Sequence, residues 1–305
     1  MLPSLEEIQH RAHTNARAHL ATRGLDLGSL RELLRPAADD ETTLVLTAST
    51  TEGLANAESD LDVLALGVAS FAGQILVHEE AFDTSVTRAG HHELNVEARS
   101  VDNLKALARR IGSTIDCIHD IDRARRGDAL EFDLVRNEDL RLLHRMRWGV
   151  PLQETSGFRD WVHELRVDDL PLYLATVSLF DHFAQREDVI SHVEGPEATC
   201  LRMLQLATDS LAGAVLATCG QTNPAPKWRP ALLARSREQL GDEAVDRLGE
   251  LLFVHPDGSE PRETVEAALA FADGLIVNVV IAAFPQMLTA LTELDKVFEM
   301  PKQLT

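Results

Sequence analysis

Two spacings of apolar residues divide the chain, one typical of strands and one typical of helices. Alternation with a period of two predicts strands over residues 42–48, 61–66, 74–78, 84–88 and 92–99. Ahead of them, residues 4–34 have helical spacing with a break near Gly24 and Gly28. Ser4, followed three residues later by Glu7, predicts a capping box where the first helix begins.

Residues beyond the last predicted strand have almost only helical spacing. A helix is predicted over residues 102–112, and from Asp139 onward short loops separate long helical stretches. The loops lie at Gly149–Pro151, Gly195–Pro196, residues 220–226 and His255–Gly258. Helices joined in this way predict an antiparallel bundle. The predicted fold class is therefore α+β, with a mixed-sheet domain over residues 1–138 and an all-α helical-bundle domain over residues 139–305.

Candidate chemistry is concentrated in residues 46–66, which read LTASTTEGLANAESDLDVLAL. Ser49 is followed by Gly53 and Ser59, and two aspartates, Asp60 and Asp62, stand one residue apart. On a strand, residues i and i+2 project from the same face, so the two carboxylates lie side by side. Paired carboxylates are ligands that divalent metals prefer, and this arrangement points to phosphoryl or nucleotidyl transfer.

This segment resembles the signature of the DNA polymerase beta-like nucleotidyltransferase superfamily, a glycine-serine loop followed by an Asp-x-Asp strand. The resemblance implies that Asp60 and Asp62 are catalytic and bind two Mg²⁺ ions, together with a third acidic residue on a later strand. It also implies a loop for the nucleoside triphosphate, formed by Ala48, Ser49, Thr50 and Ser59. Ala48 stands where the family usually has glycine, which lets the backbone approach phosphate closely. Ser59 has an alternative role, which is to close a turn before the strand.

The third acid is sought in the strand predicted over residues 92–99. Its apolar face holds Leu94, Val96 and Ala98. Glu97 lies on the opposite face between apolar neighbours and is the predicted third metal ligand, with Glu93 in reserve. The alternative for Glu97 is a surface residue paired with Arg88 or Arg99.

Basic residues in two later regions are further candidates. The first region has two short stretches, Arg123, Arg125 and Arg126, then Arg141, Arg145 and Arg147. They either bind the triphosphate or form a helix surface paired with nearby acids. The second region is the loop over residues 220–229, in which Lys227 or Arg229 contacts phosphates and Trp228 packs against the base or the acceptor. The alternative is a helix start with a packed tryptophan.

The composition of the chain limits the kinds of partner that we expect it to bind. The chain has 305 residues and a net charge of −20, which opposes binding to a nucleic acid and favours a small acceptor. The sequence shows no signal peptide and no apolar run long enough for a transmembrane helix, so we expect a cytoplasmic protein without a membrane partner. Its three cysteines fit no metal spacing and are expected to stay reduced.

We therefore expect a Mg²⁺-dependent nucleotidyltransferase that transfers a nucleoside monophosphate from a triphosphate to a hydroxyl of a small molecule and releases pyrophosphate. Resemblance to aminoglycoside nucleotidyltransferases implies antibiotic modification or biosynthesis. Two alternatives stay open: a transferase that acts on a protein or an RNA end, and a catalytically inactive nucleotide-binding or regulatory protein of the same fold. The apolar helices near residues 265–295 are a candidate homodimer face. The sequence selects neither the nucleotide, the acceptor nor the general base.

Overall fold

The structure, a computed structural model, describes most of the chain in eight segments. They cover residues 2–35, 42–71, 73–78, 82–89, 92–119, 135–153, 156–255 and 261–287. The polypeptide forms two units. The sheet unit comprises Pro3–Ser113 and Asp133–Asp168, and the helical unit comprises Met1–Leu2, Thr114–Phe132 and Asp169–Thr305. A mixed sheet followed by a helical region confirms the predicted α+β class.

The sheet unit has six strands in its described residues, and the first five follow the predicted ranges closely. They are β1 (Thr43–Thr47), β2 (Leu61–Leu66), β3 (Gln74–His78), β4 (Asp83–Ala89), β5 (His92–Arg99) and β6 (Val150–Pro151). Over the described residues they form one sheet in the order β3-β4-β5-β2-β1-β6. Only the central pair β2 and β5 is parallel, and all other neighbours are antiparallel. The sheet is therefore mixed, as predicted.

One face of the sheet is apolar and is covered by the first two helices. These are α1 (Leu5–Thr22) and α2 (Leu27–Leu34), separated at the predicted break, where Gly24 has a φ of 69°. The capping box is confirmed: the Ser4 hydroxyl accepts from the Glu7 backbone N–H at 3.2 Å. Both helices bury their apolar residues against alternate positions of the central strands. Those strand positions are Leu44, Leu46, Leu61, Val63, Ala65, Leu94, Val96 and Ala98.

The polar residues between these apolar positions point to the opposite face of the sheet. On β2 and β5 these residues include Asp62, Asn95 and Glu97, with Asp62 opposite Asn95 in the parallel pairing. Glu97 is paired in register with Leu64, two residues further along β2 than Asp62. The alternation therefore places the candidate acids together on one side of the sheet, away from the apolar cluster under α1 and α2.

The remaining helices of this half are α3 (Ser49–Glu52), α4 (Val101–His119), α5 (Asn137–Arg147) and α6 (Ser156–Glu164). The sequence placed a domain division after residue 138, whereas the sheet unit continues to Asp168. It does so because β6 pairs with β1, with Leu46 opposite Val150, and because α5 packs against β1. The two residues of β6 are too few to produce an alternating pattern, and the sequence predicted only a loop there.

The helical unit is built around a buried pair of long helices, α7 (Leu170–Ser191) and α8 (Glu197–Thr218). After them come α9 (Arg229–Arg235), α10 (Arg237–Leu240), α11 (Asp242–Leu252) and α12 (Pro261–Leu275), which continues as a π-helix to Ile281. Within the described part of the chain, the stretch Arg262–Ile281 is long and apolar enough to cross a membrane, by length and composition only. A buried helix of a protein core meets the same criterion. This stretch packs on α8 and pairs its Asp273 with Arg186.

Candidate active site

The loop that leaves β1 has an unusual backbone at Ala48. Its φ of 61° and ψ of −145° lie in a region that favours glycine. The Ala48 carbonyl accepts from the backbone N–H groups of Thr51 and Glu52, both at 3.0 Å, and from the Thr51 hydroxyl at 3.0 Å. Gly53 ends the short helix α3 with a φ of 67°. The loop is therefore held in a defined and strained conformation.

The predicted nucleotide-binding residues of this loop differ in accessibility. Ser49 is half-buried, whereas Thr50 is 1% exposed and its hydroxyl has no hydrogen-bond partner among the described residues. The Thr50 side chain therefore points into the protein. Ser49 uses its carbonyl to accept from Leu54 and Ala55 at 2.9 and 3.0 Å. Ala48 and Ser49 are the loop residues that remain available to a ligand.

Ser59 closes a turn before β2, which was the alternative predicted for it. The Asn56 backbone N–H donates to the Ser59 hydroxyl at 2.9 Å, and that hydroxyl lies 3.1 Å from the Asn56 side-chain oxygen. Arg23, the residue that follows α1, donates to the carbonyls of Ala57 and Ser59. The Ser59 hydroxyl is thus already engaged within the turn. Contact of Ser59 with a nucleotide stays a prediction.

Asp60 and Asp62 lie at the start of β2, Asp60 exposed and Asp62 half-buried. Burial raises the pKa of Asp62, the positive charge of Arg145 lowers it, and the negative charges of Asp60 and Glu97 raise it further. A hydrogen bond from Asn95 also favours the ionised form. The structure therefore brings the three predicted acids close enough to influence one another. In the part of the chain that is described, neither aspartate has an ion-pair partner.

Glu97 makes two ion pairs. Its Oε1 accepts from Arg99 Nε at 2.7 Å, and its Oε2 accepts from Arg145 Nη1 at 2.6 Å. The Arg99 partner is the one named in the alternative for Glu97, but the pair is not on the surface, because the Glu97 side chain is only 13% exposed. Arg145, noted only as part of a basic stretch, is thus a member of the acidic site.

Arg99 is fixed from several sides and anchors Glu97. Its Nη1 donates to Asp139 at 3.2 Å, and its guanidinium stacks over the Phe82 ring at 4.4 Å from the ring centre. Arg110 donates to the other Asp139 oxygen at 3.0 Å. Asp139 of α5 was missed in the sequence, because nothing in its local pattern indicates partners on β5 and α4.

The site fits a divalent cation in part. Asp60 and Asp62 supply hard oxygen ligands of the kind that Mg²⁺ prefers. Among the described residues, however, no group of three or more His, Cys, Asp or Glu side chains has the geometry of a metal site. Each oxygen of Glu97 accepts from a guanidinium group, so a cation at Glu97 would have to bind against the positive charge of Arg99 and Arg145 or replace one of them.

Two more polar residues of α5 lie close to the site. His144 Nε2 is 3.1 Å from Glu52 Oε1 of the loop helix, and both side chains are buried. Arg147 is 2% exposed, donates to the Val167 carbonyl at 3.0 Å, and has its pKa lowered to about 10 by burial. Because Arg141 is exposed and Arg147 is buried, α5 presents no continuous basic strip. The other basic stretch, Arg123 to Arg126, lies outside the described residues.

Lys227 belongs to the helical unit, at a 3₁₀ turn over Pro226–Trp228. Its ammonium lies 5.2 Å from the centre of the Trp228 ring. Arg229 is nearly buried, donates to the Asn223 carbonyl at 3.1 Å and pairs with Asp209. Arg229 therefore stabilises the helical unit itself, and contact of Lys227 with phosphates stays a prediction.

Comparisons with known proteins give a family match and a likeness to solved structures. Residues 3–129 match the model of DUF6001, a family of unknown function. No curated protein matches the chain. Among solved structures, it is similar to a nucleotidyltransferase-like protein from Exiguobacterium sibiricum, with a TM-score of 0.44, 12% identity, and coverage of 90% of this chain and 80% of the other. The family match covers less than half of the chain and brings no activity with it, so function has to be inferred from the site.

Proposed function

We propose that this protein is a Mg²⁺-dependent nucleotidyltransferase that moves a nucleoside monophosphate from a triphosphate to a hydroxyl of a small molecule, with release of pyrophosphate. The observation that carries the proposal is the acidic face at the start of β2. There Asp60 and Asp62 stand without ion-pair partners among the described residues, and both Asp60 and Glu97 raise the pKa of Asp62. Partly buried carboxylates that repel one another form a site for cations.

Each element of the site has a role in this chemistry. Asp60 and Asp62 would hold Mg²⁺, and Glu97 would complete the ligand set. Bound Mg²⁺ supplies stabilisation of the negative charge on the entering and leaving oxygens. The loop at Ala48 and Ser49 positions the phosphates through its backbone and the Ser49 hydroxyl. Its hydrogen bonds within α3 hold it in place before a ligand arrives.

The acceptor and the setting of the reaction are further parts of the proposal. A net charge of −20 favours a small and preferably cationic acceptor over a nucleic acid. This charge supports antibiotic modification or biosynthesis in the cytoplasm, as the resemblance of the loop and the Asp-x-Asp strand implies. Lys227 as a phosphate contact and a homodimer through the helices near residues 265–295 belong to the same proposal.

Two observations favour a second candidate, a nucleotide-binding protein without transferase activity. Ala48 places a methyl group in the loop at a backbone conformation that suits glycine. Glu97, the third ligand in the first proposal, is bonded to both Arg99 and Arg145. A protein of this second kind would bind a nucleotide at the loop and leave it intact.

Calorimetric titration with each of the four nucleoside triphosphates, with and without Mg²⁺, tests both candidates. The comparison is between the wild-type protein and the double variant Asp60→Asn with Asp62→Asn. A matched control is Glu58→Gln with Glu138→Gln, which removes two exposed charges from the same unit. Mg²⁺-dependent binding that is lost in the first variant and kept in the control is the expected result.

Transfer itself is measured with triphosphates labelled at the α-phosphate, against a panel of hydroxyl-bearing acceptors that includes aminoglycosides. Label in an acceptor, with release of pyrophosphate, supports the transferase. Mg²⁺-dependent binding without transfer to any acceptor supports the second candidate. Activity that survives the double asparagine substitution would show that the metal-ligand assignment is wrong.

A further inference from the structure

The two arginines that hold Glu97 are not equivalent. Arg99 is 2% exposed and is fixed by Glu97, Asp139 and the Phe82 ring. Arg145 is 24% exposed, and Glu97 is the ion-pair partner that the structure shows for it in the described residues. If one pair is to open, it is the pair made by Arg145, because Asp139 and the Phe82 ring hold Arg99 in place whereas the Arg145 side chain already has access to solvent.

Arg145 also acts on the other acids of the site. Its positive charge lowers the pKa of Asp62, so it lies within electrostatic reach of the aspartate pair as well as of Glu97. A divalent cation that binds alone has to enter beside this guanidinium and compete with it for Glu97. A triphosphate offers the guanidinium a different partner, because planar N–H pairs match phosphate oxygens as well as they match a carboxylate.

We propose that Arg145 couples nucleotide binding to metal binding. Without nucleotide, its guanidinium occupies Oε2 of Glu97; the triphosphate of a bound nucleotide takes over the guanidinium and leaves Glu97 free to complete the metal site. This inference rests on the proposed nucleotide and metal site. It predicts that metal and nucleotide each tighten the binding of the other, since such coupling is reciprocal.

The proposal is tested by binding of Mn²⁺, a spectroscopic substitute for Mg²⁺, so that no turnover is needed. Free Mn²⁺ is measured by electron paramagnetic resonance, alone and with each of the four α,β-methylene nucleoside triphosphates or inorganic triphosphate. Titrations without protein correct for Mn²⁺ bound by the phosphates in solution. Tightening by inorganic triphosphate shows that the phosphates suffice, whereas tightening by one nucleotide alone shows that the base is also required. Because bound phosphates can themselves ligate the metal, the coupling through Arg145 is the part of this tightening that Arg145→Gln removes.

Arg145→Gln removes the charge and keeps much of the side-chain length. Without nucleotide, this variant is expected to bind Mn²⁺ about tenfold more tightly than wild type, within the usual range of coupling between sites. The further tightening caused by the triphosphate should be largely lost. Arg141→Gln is the matched control, since it removes an exposed charge one helical turn earlier on α5 and should leave Mn²⁺ affinity unchanged.

Glu97→Gln provides a second test that does not depend on the folding of the arginine variant. Without nucleotide it should lose less Mn²⁺ affinity than it loses with nucleotide, because Arg145 then already competes with the cation for Glu97. With nucleotide it should lack the tightening that wild type shows. Circular dichroism and thermal unfolding of each variant confirm that the comparison is between folded proteins.

The outcomes separate this inference from the proposed function. Suppose that Mn²⁺ and nucleotide binding require Asp60 and Asp62 but are unchanged by Arg145→Gln. This result would overturn the coupling and would still support the proposed nucleotidyltransferase site. An equal loss of Mn²⁺ affinity in Glu97→Gln with and without nucleotide would also overturn it, because Glu97 would then be a ligand at all times. Absence of any metal or nucleotide binding by wild type would overturn both.

Discussion

Replacing Ala48 with glycine should stabilise the protein, although the substitution removes a methyl group. A non-glycine residue at φ 61° and ψ −145° carries about 1–3 kcal/mol of backbone strain, which glycine relieves. Two effects oppose this gain. Glycine has greater freedom in the unfolded chain, which lowers the free energy of unfolding by about 0.4–1 kcal/mol, and part of a buried methyl group is lost. The hydrogen bonds to residue 48 use its carbonyl and are retained. We expect a net gain of about 1 kcal/mol and a melting temperature higher by roughly 2–4 °C.

The assay is thermal and urea unfolding followed by tryptophan fluorescence. Trp148 and Trp161 both lie in the sheet unit and report on it. Ala57→Gly is the control, because Ala57 is exposed in the same loop and the described non-glycine residues with positive φ are Ala48 and Arg166. The control should be neutral or destabilising by up to about 1 kcal/mol. If Ala48→Gly lowers stability as much as Ala57→Gly does, residue 48 does not hold a left-handed conformation in solution and the reasoning fails.

Three further substitutions test the charge environment. Burial raises the pKa of Asp62 above its ordinary value of 3.8, so the ionised carboxylate destabilises the folded state at any pH above that value. Asp62→Asn should therefore melt at a higher temperature than wild type at pH 7 and lose this advantage below about pH 3. Burial lowers the pKa of His182 to about 4, so the free energy of unfolding should fall as the pH is lowered from 6.5 towards 4. His182→Asn retains a donor for the Ala207 carbonyl and should reduce that fall by up to about 3 kcal/mol. The measurement is urea unfolding at pH 7 and pH 4.5. Asp139→Asn leaves two arginines without their shared carboxylate and should cost about 3–5 kcal/mol at pH 7 by urea unfolding.

Each of these expectations has a clear contrary result. A lower melting temperature for Asp62→Asn at pH 7 would mean that the ionised carboxylate is stabilised, not penalised, by its surroundings. An unchanged pH dependence in His182→Asn would show that the His182 ring is not kept neutral by burial. A loss of less than about 1 kcal/mol in Asp139→Asn would show that water or another group replaces the carboxylate.

The sequence predicted the central strands of the sheet well. The bounds of β2, β3 and β5 agree with the prediction: in β5 apolar residues such as Leu94 and Val96 alternate with polar ones, and β2 and β3 contain short apolar runs. The prediction was incomplete where structure depends on distant partners. β6 has two residues and exists because it pairs with β1, and α5 belongs to the sheet unit because of where it packs.

The candidate site, like the sheet, was predicted where the local sequence pattern is informative and was missed where distant partners decide. Spacing and alternation placed Asp60 and Asp62 side by side, and the resemblance to the nucleotidyltransferase signature directed the search that added Glu97. The effect of Asp60 and Glu97 on the pKa of Asp62 agrees with that placement. Their partners could not be predicted. Arg145 is 48 residues from Glu97 in the chain, and the pairing depends on how α5 packs over the sheet. The inward position of Thr50 likewise follows from the packing of the short helix α3.

The loop at Ala48 and the Glu97–Arg145 pair bear differently on the two candidate functions. The loop is held by its own hydrogen bonds and by α1, whose Asn15 donates to the Thr51 carbonyl at 2.9 Å and packs against Gly53. Under both proposals we expect the loop to bind phosphate in this same conformation. Only the proposed transferase would need Glu97 to exchange Arg145 for a metal ion, because only that activity needs the third carboxylate. The Glu97–Arg145 pair, rather than the strained loop, is thus the feature whose behaviour on nucleotide binding separates the two functions.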